Sequence, residues 1–131
     1  MESDISFKTQ AKTEHDEMKM RENVISLQKY EKMLSNVMYT REKMNLDIKG
    51  IDISLKELEK KPKEVYRFYG MILLKKSSEE MEKELEEEKE NILLKQKQLL
   101  KQEETIKKMY AELRQKVIES QKQMRGKYPK Q

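Results

Sequence analysis

Val65-Tyr66-Arg67-Phe68-Tyr69-Gly70-Met71-Ile72-Leu73-Leu74 is the stretch whose reading decides the fold. It is a short apolar run at the midpoint of the chain, between two segments dense in Lys, Glu and Gln. One Gly among residues that otherwise favour strands predicts a tight β-hairpin. A lone two-stranded hairpin is marginal in water and leaves two unpaired edges. The hairpin is therefore expected to pair with strands from other chains, which makes this chain a subunit of an assembly.

Composition supports that reading. Of the 131 residues, 41% are charged and 35% hydrophobic, too few apolar residues for a compact core of this length. High Glu, Lys and Gln with only three Gly and two Pro favours long helices. The absence of cysteine excludes disulfides and thiolate metal sites. No apolar run approaches the roughly 20 residues needed to span a bilayer. The start, Met1-Glu2-Ser3-Asp4, is acidic and lacks the apolar centre of a signal peptide. A soluble cytoplasmic protein with no membrane partner is expected. Net charge is +4, but it is distributed unevenly. Glu79 to Glu90 holds eight Glu and two Lys, whereas Lys95 to Gln131 holds eleven Lys or Arg and four Glu. Acidic residues early in a helix and basic ones late also suit its macrodipole.

Outward from the hairpin, both flanks read as helices. Residues 1–15 are polar, and the first helix is expected to settle at about residue 16 and run to about 60. From Met20 a heptad places Met20, Leu27, Leu34, Arg41, Ile48 and Leu55 at one core position. The position three residues later holds Asn23, Tyr30, Val37, Met44, Ile51 and Leu58. Only Arg41 and Asn23 break the apolar pattern, and six such heptads argue for a coiled coil. Arg41 is expected to snorkel or to pair with a Glu of the second helix. Lys60-Lys61-Pro62 then supplies the stop signal.

The hairpin is expected over about 64–75. After it, Ser77-Ser78-Glu79-Glu80 fits a capping box that opens a second helix over about 78–124, followed by a flexible basic tail over 125–131. Leu85, Ile92, Leu99, Ile106 and Leu113 recur every seventh residue. The partner position reads weakly as Glu88, Lys95 and Gln102, then improves through Tyr110, Val117 and Met124. The hairpin reverses the chain, so the two seams are expected to meet as an antiparallel coiled coil.

This helix–hairpin–helix order resembles the prefoldin family, specifically its β class. Glu64 to Lys75 is similar to the family pattern of an aromatic, a basic residue, two apolar residues, Gly, a variable residue and an apolar strand ending in Lys. The capped helix beginning Ser78-Glu79-Glu80-Met81-Glu82-Lys83-Glu84-Leu85 follows the family spacing. A single hairpin matches the β class, since α-class subunits carry two. Tyr69 departs from the small or aliphatic residue the family places before the Gly. Subunit 6-like, archaeal β-like and subunit 1-like assignments all remain open.

The resemblance implies one prefoldin-like domain over residues 1–131, mainly α, whose hairpin joins an intersubunit β-barrel. It implies a heterohexamer of α-class and β-class subunits. Such an assembly holds unfolded clients, including actin and tubulin, at its coiled-coil tips and delivers them to a cytosolic group II chaperonin without ATP. Val65, Tyr66, Phe68, Met71, Ile72, Leu73 and Leu74 are the expected assembly residues. Strand addition supplies main-chain hydrogen bonds, and alternate side chains select the partner. Phe7, Met18, Met20, Tyr110, Val117, Ile118, Met124 and Tyr128 are candidates for client contact at the tip, where flexible Met-rich surfaces re-pack against many partners. By heptad position, Met20, Tyr110 and Val117 also complete the seam. Arg114, Lys116, Lys122, Arg125 and Lys127 are candidates for steering toward an acidic chaperonin surface.

Other classes fit less well. His15 is the single His and lies in a polar segment, and no Gly-rich phosphate loop is present, so an enzyme with a catalytic centre or cofactor is not expected. The basic residues alternate with Glu and Gln and carry no nucleic-acid motif. A structural coiled-coil adaptor of another complex is the alternative, with a basic coiled coil on nucleic acid behind it.

Overall fold

The computed structural model describes the backbone of residues 2–127 and the side chains of residues 10–126. The order is α1 (Glu2–Leu58), β1 (Val65–Tyr69), β2 (Ile72–Lys76) and α2 (Ser78–Lys127). Two compact units result: a hairpin-bearing unit, Val37–Gln102, and a terminal unit built from Met1–Asn36 and Glu103–Gln131. The side chains of Phe7 and Lys127, and all of Tyr128, lie outside what the structure describes.

α1 begins at Glu2, not near residue 16. Residues 2–15 contain neither Gly nor Pro, so the chain has no reason to leave the helix once the seam beyond Met20 has nucleated it. Likewise α2 continues to Lys127 rather than stopping near residue 124. At the far end of α1, the Glu59 N–H donates to Leu55 O at 3.2 Å and the Lys61 N–H to Leu58 O at 3.0 Å. Lys61 turns left-handed, with φ 48°, and Pro62 bars further helix. α2 opens on the expected cap, with the Glu80 N–H donating to Ser77 Oγ at 3.1 Å.

The α1 heptad is reproduced in full. All twelve seam positions are half-buried or buried, Arg41 and Asn23 included. In the hairpin-bearing unit Ile51, Leu58, Met81 and Leu85 form the core, with Leu55, Val65 and Ile92 packed against it. Burying such side chains contributes up to about 1.5–3 kcal/mol each. In the terminal unit Ile106 and Val117 are buried.

The α2 partner positions differ from the sequence reading. Lys95 and Gln102 are exposed, whereas Lys89 and Gln96 are half-buried and Glu103 is only 4% exposed. Glu103 lies 3.1 Å from Lys107 Nζ, one turn on along α2, whereas for Lys89 and Gln96 the reason is hydrogen bonding across the helix pair. Lys89 Nζ donates to Asp52 Oδ1 at 2.6 Å, and Gln96 Nε2 donates to Asn45 Oδ1 at 2.7 Å. These two rungs lie one heptad apart on both helices, running in opposite directions, as an antiparallel pair requires. In the terminal unit Tyr110 donates its hydroxyl to Glu31 Oε1 at 2.9 Å. Polar side chains thus occupy seam positions because each finds a partner, a selection that hydropathy alone does not reveal.

The sheet is one antiparallel pair with Val65 opposite Lys76, Arg67 opposite Leu74, Phe68 opposite Leu73 and Tyr69 opposite Ile72. Gly70 and Met71 form the two-residue turn. Gly70 carries φ 59° and Met71 has no positive φ, which marks a type II′ turn with Gly at its first central position. Gly50 is the contrasting case. It sits inside α1, where Gly costs about 1 kcal/mol relative to Ala. A Cβ built there meets nothing within 4 Å, so the chain's own packing does not require it.

Candidate functional site: the hairpin and its anchorage

Strand alternation divides the hairpin into two faces. Val65, Arg67 and Tyr69 are half-buried, as is Lys76 on the opposite strand. Tyr66, Phe68, Leu73 and Lys75 fall on the other face and are exposed, Phe68 by 71% and Leu73 by 50%. Met71 in the turn, with Ile72 and Leu74, is exposed too. Of the seven expected assembly residues, only Val65 is committed to the chain's own core.

The half-buried face is held to α2 by charge. Arg67 Nη2 donates to both Glu88 oxygens, at 2.7 and 2.8 Å. Its Nη1 lies 3.3 Å from Glu84 Oε1, close enough for charge attraction but outside hydrogen-bond geometry. Glu84 also accepts from the Tyr69 hydroxyl and from Lys76 Nζ, each at 2.6 Å. Both cations face the Tyr69 ring, Lys76 Nζ at 4.8 Å and the Arg67 guanidinium at 5.6 Å from its centroid. The acidic block that follows the hairpin in the sequence therefore has a local use.

Ionisation follows from these contacts. The Lys76 hydrogen bond, then the Tyr69 hydroxyl, hold the Glu84 carboxyl below the usual carboxylate range. The Glu84 hydrogen bond raises Lys76, and the Glu88 hydrogen bond raises Arg67. In the terminal unit the bond to Glu31 raises Tyr110, because it is the neutral phenol that donates.

The tip candidates separate by exposure. Met18 is exposed and Ile118 half-buried. Met20, Tyr110 and Met124 are half-buried, while Val117 is only 7% exposed. Met20 and Met124 line one shallow cavity of about 280 Å³ with Lys116 and Glu119. Ile25, absent from the sequence-based candidates, is 64% exposed. It stands off the seam, and the signal that could have found it is an apolar side chain at an outward heptad position. Arg114, Lys116, Lys122 and Arg125 are all exposed. Among the described residues, no helix is long and apolar enough to cross a membrane.

A β-hairpin between two long helices has known counterparts. The profile for the family described as prefoldin subunit matches residues 21–124. Prefoldin subunit beta of Archaeoglobus fulgidus is 34% identical over 96 residues, which cover 72% of this chain and 83% of the relative. Prefoldin subunit beta of Caldivirga maquilingensis is 30% identical over 100 residues, covering 75% and 83% respectively. The crystal structure of the prefoldin beta subunit from Thermococcus strain KS-1 superposes with a TM-score of 0.66 over 76% of this chain and 89% of that one. At 23% identity that likeness speaks for the fold alone. The chain belongs to the prefoldin family of chaperone subunits, and within it to the beta class.

Proposed function

We propose that the chain assembles with α-class and β-class prefoldin subunits into a hexameric co-chaperone that works without ATP. The observation that carries this reading is the bare outer face of the hairpin, centred on Phe68 and Leu73. Exposed apolar side chains such as Phe68 and Leu73 beside two open strand edges are costly to leave in water and suit strand addition by a neighbour. Neighbouring hairpins then close a β-barrel, which removes the edges altogether.

Clients are captured at the coiled-coil tips. Met18, Ile25 and Ile118 offer apolar surface there, and Met20 and Met124 add adaptable side chains in the cavity they line. Weak contacts repeated at several tips combine through avidity yet still permit release. The exposed cations Arg114, Lys116, Lys122 and Arg125 steer the loaded tip toward an acidic surface of a cytosolic group II chaperonin. Actin and tubulin are the client class this reading expects in a eukaryotic cell.

The test is native mass spectrometry of the tagged chain purified from its own cells, followed by a client assay. About six chains of comparable size, α-class partners among them, and suppression of aggregation of a denatured client without nucleotide are expected. A homodimer, or a complex with unrelated proteins and no holding activity, would assign the chain an adaptor role instead.

A further inference from the structure

The hairpin-bearing unit has a second apolar surface that neither its seam nor its hairpin uses. Tyr39, Leu46 and Ile53 lie seven residues apart on α1 and off its seam, and Leu46 and Ile53 are 60% and 66% exposed. The outward positions of a coiled coil are ordinarily its most polar. Leu46, Gly50 and Ile53 form one wall of an open groove of about 1030 Å³. Ile51 and Leu85 of the core and Tyr66 of the hairpin line it too.

Three observations identify the occupant. First, a seven-residue apolar repeat matches a helix lying nearly parallel to α1; an extended strand would not share that period. Second, Gly50 stands between Leu46 and Ile53, and a Cβ there would meet open space. Its missing side chain weakens the helix without serving the chain's own packing, and it leaves a flat place where a second backbone can approach closely. Third, Asp47, Glu57, Glu64 and Glu88 line the groove against two cations, Arg67 and Lys95. Arg67 is turned into Glu84 and Glu88. Glu57 pairs with exposed Lys60, and Glu64 with exposed Lys75 and the Tyr66 hydroxyl, and such solvated pairs exchange readily for a competing cation.

We propose that this groove docks an amphipathic α-helix of another protein, one with a heptad apolar stripe flanked by Lys or Arg. The site overlaps the hairpin's outer face only at Tyr66. It does not depend on the hexameric reading.

The probe is a synthetic helix of about 21 residues with Leu at its seam and Lys on its flanks, measured against the full chain by fluorescence anisotropy. The same helix with Glu flanks is expected to bind about tenfold more weakly. Gly50→Leu fits the open space and is a better helix former, so the free chain should melt higher. The same variant should weaken the Lys-flanked helix about tenfold by filling its contact, and leave hairpin-dependent assembly unchanged. Equal binding of the two helices, or binding indifferent to Gly50→Leu, would overturn the proposal. So would self-association of the chain that Gly50→Leu abolishes in the absence of peptide, since the occupant would then be a second copy.

Discussion

The two faces of the hairpin come from the same ten residues and behave oppositely. One face spends its side chains on α2: Arg67 on Glu88, Tyr69 and Lys76 on Glu84. The other, with Phe68 and Leu73 opposite each other, touches solvent. A soluble two-stranded unit ordinarily does the reverse, burying its apolar face and hydrating its charges. Here the charged groups of the inner face supply orientation, and Phe68 and Leu73 of the outer face are left for association. Charge-assisted hydrogen bonds suit the first task because they are directional, and apolar area suits the second because it tolerates small mismatches.

The largest effect that would break this contrast comes from the outer face. Phe68→Asp combined with Leu73→Asp should abolish assembly in native mass spectrometry while circular dichroism still reports two long helices. An unchanged assembly mass would mean that the outer face is not the interface. Next is Gly70→Ala, which forces a residue with a Cβ into a left-handed turn. It should destabilise the hairpin by about 1–2 kcal/mol in thermal melts and loosen both faces together. Arg67→Ala acts on the inner face alone. Because Glu88 is nearly half open to solvent, the loss should be only about 1 kcal/mol. Assembly should nonetheless weaken if orientation matters, and a double-mutant cycle with Glu88→Ala isolates the pair.

A pH titration sharpens the same comparison. Glu84 has its pKa depressed in the folded chain, so its contribution is fully present above the unfolded pKa and disappears as pH falls through the folded one. Lys76 is raised, so its contribution is present below the unfolded pKa and is lost as pH climbs through the folded one. Hairpin amide shifts should therefore hold steady across neutral pH and move at both extremes, the acid midpoint lying below the usual carboxylate range. A single transition at an ordinary carboxylate pKa would argue against the anchorage. The smallest effect is expected far from either face: Tyr110→Phe removes a solvated bond to Glu31 and should leave assembly unchanged.

Much of this was legible before any coordinates. The apolar period of α1 gives its seam residue by residue, and Gly70 gives the turn. The division of the hairpin into faces was not, because Tyr66 and Tyr69 are the same residue type and only the register separates them. The α2 seam was misread for a related reason. Lys89 and Gln96 look like surface residues, and their place inside comes from partners distant in sequence, Asp52 and Asn45. Hydropathy records what a side chain avoids, not whom it meets. The acidic run after the hairpin was read as a helix-dipole preference, while Glu84 and Glu88 turn out to be the anchors of β1 and β2.

The two-residue turn at Gly70 and Met71 also governs how the chain folds in time. It joins β1 to β2 across a two-residue loop, so strand pairing starts from a local contact, Tyr69 with Ile72, that closes with little loss of chain entropy. Each further contact of the hairpin-bearing unit then forms beside one already made, in the manner of a zipper started at its closed end. During synthesis α1 emerges long before its partner helix exists, and its apolar stripe must wait for the turn to be translated. Lengthening that turn with flexible residues should slow folding only modestly, by about 0.6 kcal/mol of barrier for each doubling of the loop. Stopped-flow circular dichroism would measure that dependence directly.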